Sequence, residues 1–75
     1  MTQPNLHELE DMVERQREKL LTFARRINPS LTWDDVLQPQ DFVELEHNPE
    51  FRFEEGVLVG LETALFALRA SKGIL

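Results

Sequence analysis

The fold is decided by residues 48–72, which read NPEFRFEEGVLVGLETALFALRASK. Asn48 is a favourable N-cap, and Pro49 suits the first position of a helix because it has no backbone N–H to leave unpaired. Apolar residues then recur at helical spacing, and Gly73 is a common helix stop. This stretch therefore predicts one long α-helix over residues 49–71.

On a helical wheel this segment is apolar on more than one side. Val59 and Phe66 lie seven residues apart in a narrow stripe, while Gly56 and Gly60 belong to a line of small residues. Glycines inside a helix cost about 1 kcal/mol each relative to alanine, and we expect close packing of another helix to offset that cost. A broader face, expected to pack against the hairpin partner, carries Phe53, Val57, Leu61, Ala64 and Leu68, and continues through Leu58 and Leu65. A helix apolar on most sides must be surrounded.

A second long helix is predicted over residues 6–27. Asn5 is a good N-cap, and Asn28-Pro29 ends the helix because a residue before proline is pushed out of helical geometry. A seam along this helix is formed by residues that recur at alternating intervals of three and four positions, and only Gln16 among them is polar: Leu6, Leu9, Val13, Gln16, Leu20, Phe23 and Ile27. This pattern indicates a helix packed along one face.

The connection between the long helices is short and acidic. Thr32 can cap one turn over residues 33–37, and Asp41 can cap another over residues 42–47. Its apolar residues are expected to form a lid over one end of the helix pair: Trp33, Val36, Leu37, Phe42 and Leu45. The predicted fold is all-α, with two long antiparallel helices joined by one or two short helices in a single helical-hairpin domain over residues 1–75.

The small size of the chain favours self-association. A chain of 75 residues buries only about 60% of the surface that its unfolded form exposes, and without cysteine it forms no disulfide. We expect a homodimer with a four-helix arrangement. The predicted interface comprises Val59, Phe66, Leu58, Leu65, Gly56 and Gly60. The alternative left open is a monomer whose lid covers Val59 and Phe66.

The distribution of charge argues against several classes of partner. The net charge is −6, and residues 28–55 carry eight acidic residues against Arg52 alone. Nucleic-acid binding requires a basic face and is not expected. The longest apolar run is well short of the roughly 20 residues of a membrane span. The amino terminus has no signal-peptide pattern, so a cytoplasmic location is expected.

Candidate chemistry is sparse. Glu44 and His47 have the E-x-x-H spacing that places a carboxylate and an imidazole on one helical face, and Glu50 could add a third ligand. Glu62 could be a buried acid, but its alignment with Glu55 and Arg69 favours a polar line facing solvent or the rim of an interface. Trp33 is interpreted as a packing anchor rather than a stacking platform.

The function predicted from the sequence is a non-enzymatic protein–protein interaction module that forms a homodimer, binds another protein and uses no cofactor. One alternative is a carboxylate–histidine metal-binding protein that uses Glu44, His47 and Glu50. Another is an accessory or antitoxin-like subunit whose apolar stripe is capped by a different chain.

Overall fold

The computed structural model describes residues 5–74, with side chains as far as Ser71. The elements in chain order are α1 (Leu6–Ile27), α2 (Trp33–Val36), a 3-10 helix (Pro39–Asp41), α3 (Val43–Glu46) and α4 (Pro49–Ile74). The described residues contain no β-strand. The all-α prediction is confirmed, and the two long helices pack together.

Helix α1 begins and ends where the sequence predicts. The Asn5 Oδ1 atom accepts a hydrogen bond from the Glu8 backbone N–H at 2.8 Å, which satisfies one of the free donors of the first turn. Asn28 is the C-cap in extended backbone geometry, as its position before proline requires. The buried face consists of Leu9, Val13, Gln16, Leu20 and Ala24.

Contacts between α1 and α4 show that the two helices run antiparallel. Glu10, near the start of α1, pairs with Arg69 near the end of α4, and Lys19, further along α1, pairs with Glu54 near the start of α4. Rising residue numbers in one helix therefore meet falling numbers in the other. The predicted antiparallel arrangement of the long helices is confirmed.

The face of α4 that packs on α1 agrees only in part with the one predicted. Its centre is formed by Phe51, Leu58 and Leu65, spaced seven residues apart, and Phe51 is fully buried. The prediction that Phe53 belongs to the covered face was wrong, because its side chain is 69% exposed. The seven-residue spacing of Phe51 with Leu58 and Leu65 was the sequence signal that could have located this face.

Helix α4 starts at its predicted cap and runs past its predicted end. The Asn48 Oδ1 atom accepts from the Phe51 backbone N–H at 2.9 Å, so the asparagine is a true N-cap. The helix continues through Gly73 to Ile74, beyond the predicted end at residue 71. Glycine is only a weak helix breaker, since its cost is about 1 kcal/mol.

The connection folds down as the predicted lid, with two differences. Thr32 and Asp35 form a reciprocal capping box at the start of α2, as expected for a capped turn. Asp41 lies in the 3-10 helix instead of capping α3, whose N-cap Phe42 provides no side-chain hydrogen bond. Leu37 points outward and is 58% exposed. The other lid residues pack in or against the core: Trp33, Val36, Phe42 and Leu45.

Candidate interaction surface

An apolar strip remains uncovered on the side of α4. Val59 is 56% exposed and Phe66 is 73% exposed. Seven residues correspond to about two helical turns, so the two side chains lie on the same side of α4, about 10 Å apart along its axis. The lid does not cover them, which contradicts the alternative in which the chain buries this stripe by itself.

The two glycines in the middle of α4 face open space. A Cβ atom added to Gly56 or to Gly60 would meet no atom within 4 Å. Neither glycine is therefore required by packing inside the chain, and the close packing expected to offset their helix cost is not provided by α1 or the lid. We name the surface formed by Gly56, Val59, Gly60 and Phe66 the outer surface.

The remaining members of the predicted interface lie in the core. Leu58 is 4% exposed and Leu65 is 7% exposed, and both pack in the cluster between α1 and α4. They support the outer surface from within and do not form part of it. Trp33 also packs against this core and is half-buried, in agreement with its interpretation as an anchor.

Ion pairs line one border of the outer surface. Arg17 Nη2 donates to Glu62 Oε2 at 3.0 Å, and Arg69 Nη2 donates to Glu10 Oε2 at 3.1 Å. Both bonds join α1 to α4, and the Glu62 side chain is 37% exposed, so Glu62 is not the buried acid that one interpretation of the sequence allowed. Because these charges are paired within the chain, this border carries little net charge.

A shallow groove runs between α1 and α4 on another side of α4, and we name it the side groove. Its lining includes Met12 and Lys19 from α1 and Val57 and Leu61 from α4. Towards the lid end it continues between Phe23 of α1 and Phe53 of α4. Only part of this surface is apolar, since Arg15 and Glu54 also contribute to its lining.

A polar cluster lies under the groove. Gln16 Nε2 donates to Glu54 Oε2 at 2.7 Å, and Lys19 Nζ lies 3.1 Å from Glu54 Oε1. The Gln16 hydrogen bond is the main reason that the pKa of Glu54 lies below its ordinary value, and Lys19 adds to the effect, while burial acts in the opposite direction. Both partners therefore favour the ionised form of the Glu54 carboxylate.

The three metal-ligand candidates are not assembled into a site. Glu44 and His47 lie in and just after α3, Glu50 lies in the first turn of α4, and all three are exposed. Asn28 Nδ2 donates to Glu44 Oε1 at 3.3 Å, which engages one candidate carboxylate. In the described part of the chain, no group of three or more histidine, cysteine, aspartate or glutamate side chains could hold a metal ion.

In comparisons with known proteins, no family model, curated protein or solved structure matches this chain. Among the described helices, none combines the length and the apolar character needed to cross a membrane.

Proposed function

We propose that this protein is a non-enzymatic, cytoplasmic interaction module that forms a homodimer through the outer surface of α4. In this proposal two hairpins make a four-helix arrangement, and the protein binds neither nucleic acid nor a cofactor. The observation that carries the proposal is the exposure of Val59 and Phe66 on a helix whose opposite face is already filled.

Burial of the exposed side chains supplies the free energy of association in this proposal. A phenylalanine buries about 150–250 Å² when it is fully covered, and apolar burial contributes roughly 25 cal/mol per Å². Two copies would each contribute Phe66 and Val59, and the glycines beside them allow the second helix to approach closely. Mutual coverage therefore stabilises the dimer without rearrangement of the hairpin core.

The test is the oligomeric state of the full chain and of two matched variants. Phe66 and Phe53 are phenylalanines of similar exposure on different sides of α4. Light scattering after gel filtration should give a dimer for the wild type and for Phe53→Glu, and a monomer for Phe66→Glu. Far-ultraviolet circular dichroism should show the same helix content for all three proteins.

Two results would overturn the proposal. The first is a wild-type protein that is monomeric at micromolar concentration, because the proposed homodimer then does not form. A dimer that survives Phe66→Glu but is lost in Phe53→Glu places the contact on the side groove instead of the outer surface. If Phe66→Glu unfolds the chain, Phe66→Ser provides a milder change with the same expected dissociation.

A second candidate function is supported by the side groove. Phe53 is exposed beside Phe23, and Val57 and Leu61 continue the apolar lining towards Met12. A different chain bound in this groove would make the protein an accessory subunit. This candidate predicts that Phe53→Glu prevents co-purification of a partner from the native host, while leaving the homodimer intact.

A further inference from the structure

We infer that the second copy lies antiparallel on α4, with the two-fold axis crossing the helix between Glu62 and Thr63. This inference rests on the proposed homodimer and adds the orientation of its two chains. Val59 of one copy then contacts Phe66 of the other, and the reverse contact follows from the symmetry. Thr63 lies beside the axis.

The positions of the apolar side chains are compatible with this symmetry. Val59 and Phe66 are equally distant in sequence from the point between Glu62 and Thr63. An antiparallel partner therefore places a small branched side chain opposite a large aromatic one, which lets the side chains interdigitate at close packing distance. A parallel partner would place Phe66 against Phe66 and Val59 against Val59, which separates the helices unevenly along their length.

The charge of the connection decides the orientation more strongly. Residues 28–55 carry eight acidic residues and one arginine, and they form the connection and the first turns of α4, which reach back as far as Gln16 in the middle of α1. A parallel dimer would place both acidic segments side by side. An antiparallel dimer places them on opposite sides of the two-fold axis, where the two Glu55 positions are 15 residue steps, or about 22 Å, apart along the helix axes. This distance is more than twice the Debye length of about 8–10 Å at physiological salt. Like-charge repulsion is then screened.

The charges of α4 itself act in the same direction. Residues 49–61 contain three glutamates and one arginine, whereas residues 62–74 contain one glutamate, one arginine and one lysine. Antiparallel packing keeps the acidic first halves of the two helices apart and also opposes the two helix dipoles. The ion pairs Arg17–Glu62 and Arg69–Glu10 are closed within each chain, so the border of the contact introduces no unpaired like charges.

Cysteine crosslinking tests the orientation directly, because the chain has no cysteine of its own. Thr63 and Ala70 are both exposed and lie on the same side of α4 as the outer surface. In the antiparallel dimer, the two Thr63 positions are adjacent along the helix axes. The two Ala70 positions are separated by 15 residue steps, or about 22 Å at a rise of about 1.5 Å per residue.

The experiment treats full-length Thr63→Cys and Ala70→Cys proteins with a short homobifunctional maleimide and compares the crosslinked fractions on a denaturing gel. The expected result is efficient crosslinking of Thr63→Cys and at least a several-fold lower yield for Ala70→Cys. Equal crosslinking of both variants shows a parallel dimer and overturns the inference, as does crosslinking of Ala70→Cys alone.

Light scattering on the same samples distinguishes a failure of the inferred orientation from a failure of the proposed homodimer. If both variants are dimers and neither crosslinks, the chains meet on another face, so the orientation inferred here is wrong although the chain dimerises. If the unmodified protein is a monomer, the proposed function fails first. If only one cysteine variant loses the dimer, Thr63→Ser and Ala70→Ser show whether the thiol is the cause, because serine is similar in size to cysteine and has no thiol.

Discussion

The Gln16 side chain of α1 donates from Nε2 to two oxygens of Glu54 in α4, the carboxylate Oε2 at 2.7 Å and the backbone carbonyl oxygen at 3.0 Å. A glutamine in an otherwise apolar seam is thereby satisfied by the residue across from it. Buried polar groups are expensive unless they are hydrogen-bonded, so this pair fixes the register of the two long helices.

The Glu54 carboxylate should make the stability of the protein depend on pH. Its pKa is lowered in the folded state, first by the Gln16 hydrogen bond. The stabilisation is therefore fully present above the ordinary glutamate pKa, about 4.3, and is lost as the pH falls through the lower folded-state value. Urea denaturation followed by circular dichroism, from neutral to strongly acidic pH, measures this loss. In Gln16→Leu the loss attributable to Glu54 should become smaller.

Lys19→Met is the comparison for this experiment, since Lys19 is the second partner of Glu54. It should reduce the acid-dependent loss less than Gln16→Leu does. An unchanged pH profile in Gln16→Leu would show that the Gln16 contact does not stabilise the ionised carboxylate.

The core position of Phe51 predicts a large difference between two neighbouring phenylalanines. Phe51 is fully buried, so Phe51→Ala should lower the free energy of unfolding by about 3–5 kcal/mol. Phe53 is 69% exposed, and Phe53→Ala should change it by less than about 0.5 kcal/mol. Thermal and urea denaturation measure both values. Similar losses for the two variants would mean that the described face of α4 is not the one covered by α1.

The end of α1 is tied to the lid by Arg25, whose Nε donates to the Leu31 carbonyl at 2.9 Å. Arg25→Ala should lower the free energy of unfolding by about 1 kcal/mol, because the bond helps to hold the buried Leu31. Arg26 makes no side-chain hydrogen bond or ion pair with any described residue, so Arg26→Ala is the matched control. Equal stabilities of the two variants in urea would contradict a structural role for Arg25.

The glycines of the outer surface should show opposite effects on folding and on association. In the isolated chain, Gly56→Ala and Gly60→Ala add a methyl group that meets nothing, and each should stabilise α4 by about 1 kcal/mol. In the proposed dimer the same methyl groups hold the second helix further away and should raise the dissociation constant. Denaturation at low protein concentration measures the first effect, and sedimentation equilibrium measures the second. Tighter dimers in both variants would remove the glycines from the interface.

Much of the fold could be predicted because its signals are local. Asn5, Thr32 and Asn48 each cap the helix that follows, since a short polar side chain is within reach of free N–H groups in the same turn. The apolar series of α1 also identified most of its buried face, including Gln16 as its polar member, but Ala24 is buried near the end of the helix where the series named Phe23. These features depend on neighbours within a few residues.

The candidate surface could be predicted only in part. The seven-residue stripe of Val59 and Phe66 is visible in the sequence, and the structure leaves both side chains exposed. Leu58 and Leu65 were assigned to the same interface, but they fill the hairpin core. When a helix is apolar on several sides, its sequence does not indicate which partner covers a given apolar residue.

Periodicity and capping act within single turns, so the all-α class, the two long helices and the caps at their starts could all be predicted from the sequence. The side of α4 that faces α1 could not, because it depends on contacts between the two helices. There Phe51, Leu58 and Leu65 fill the space against α1, while Gln16 and Lys19 reach Glu54. The physical reason is that the rotation of a helix about its axis follows from the joint packing of both helices, and nothing within a single helix specifies it.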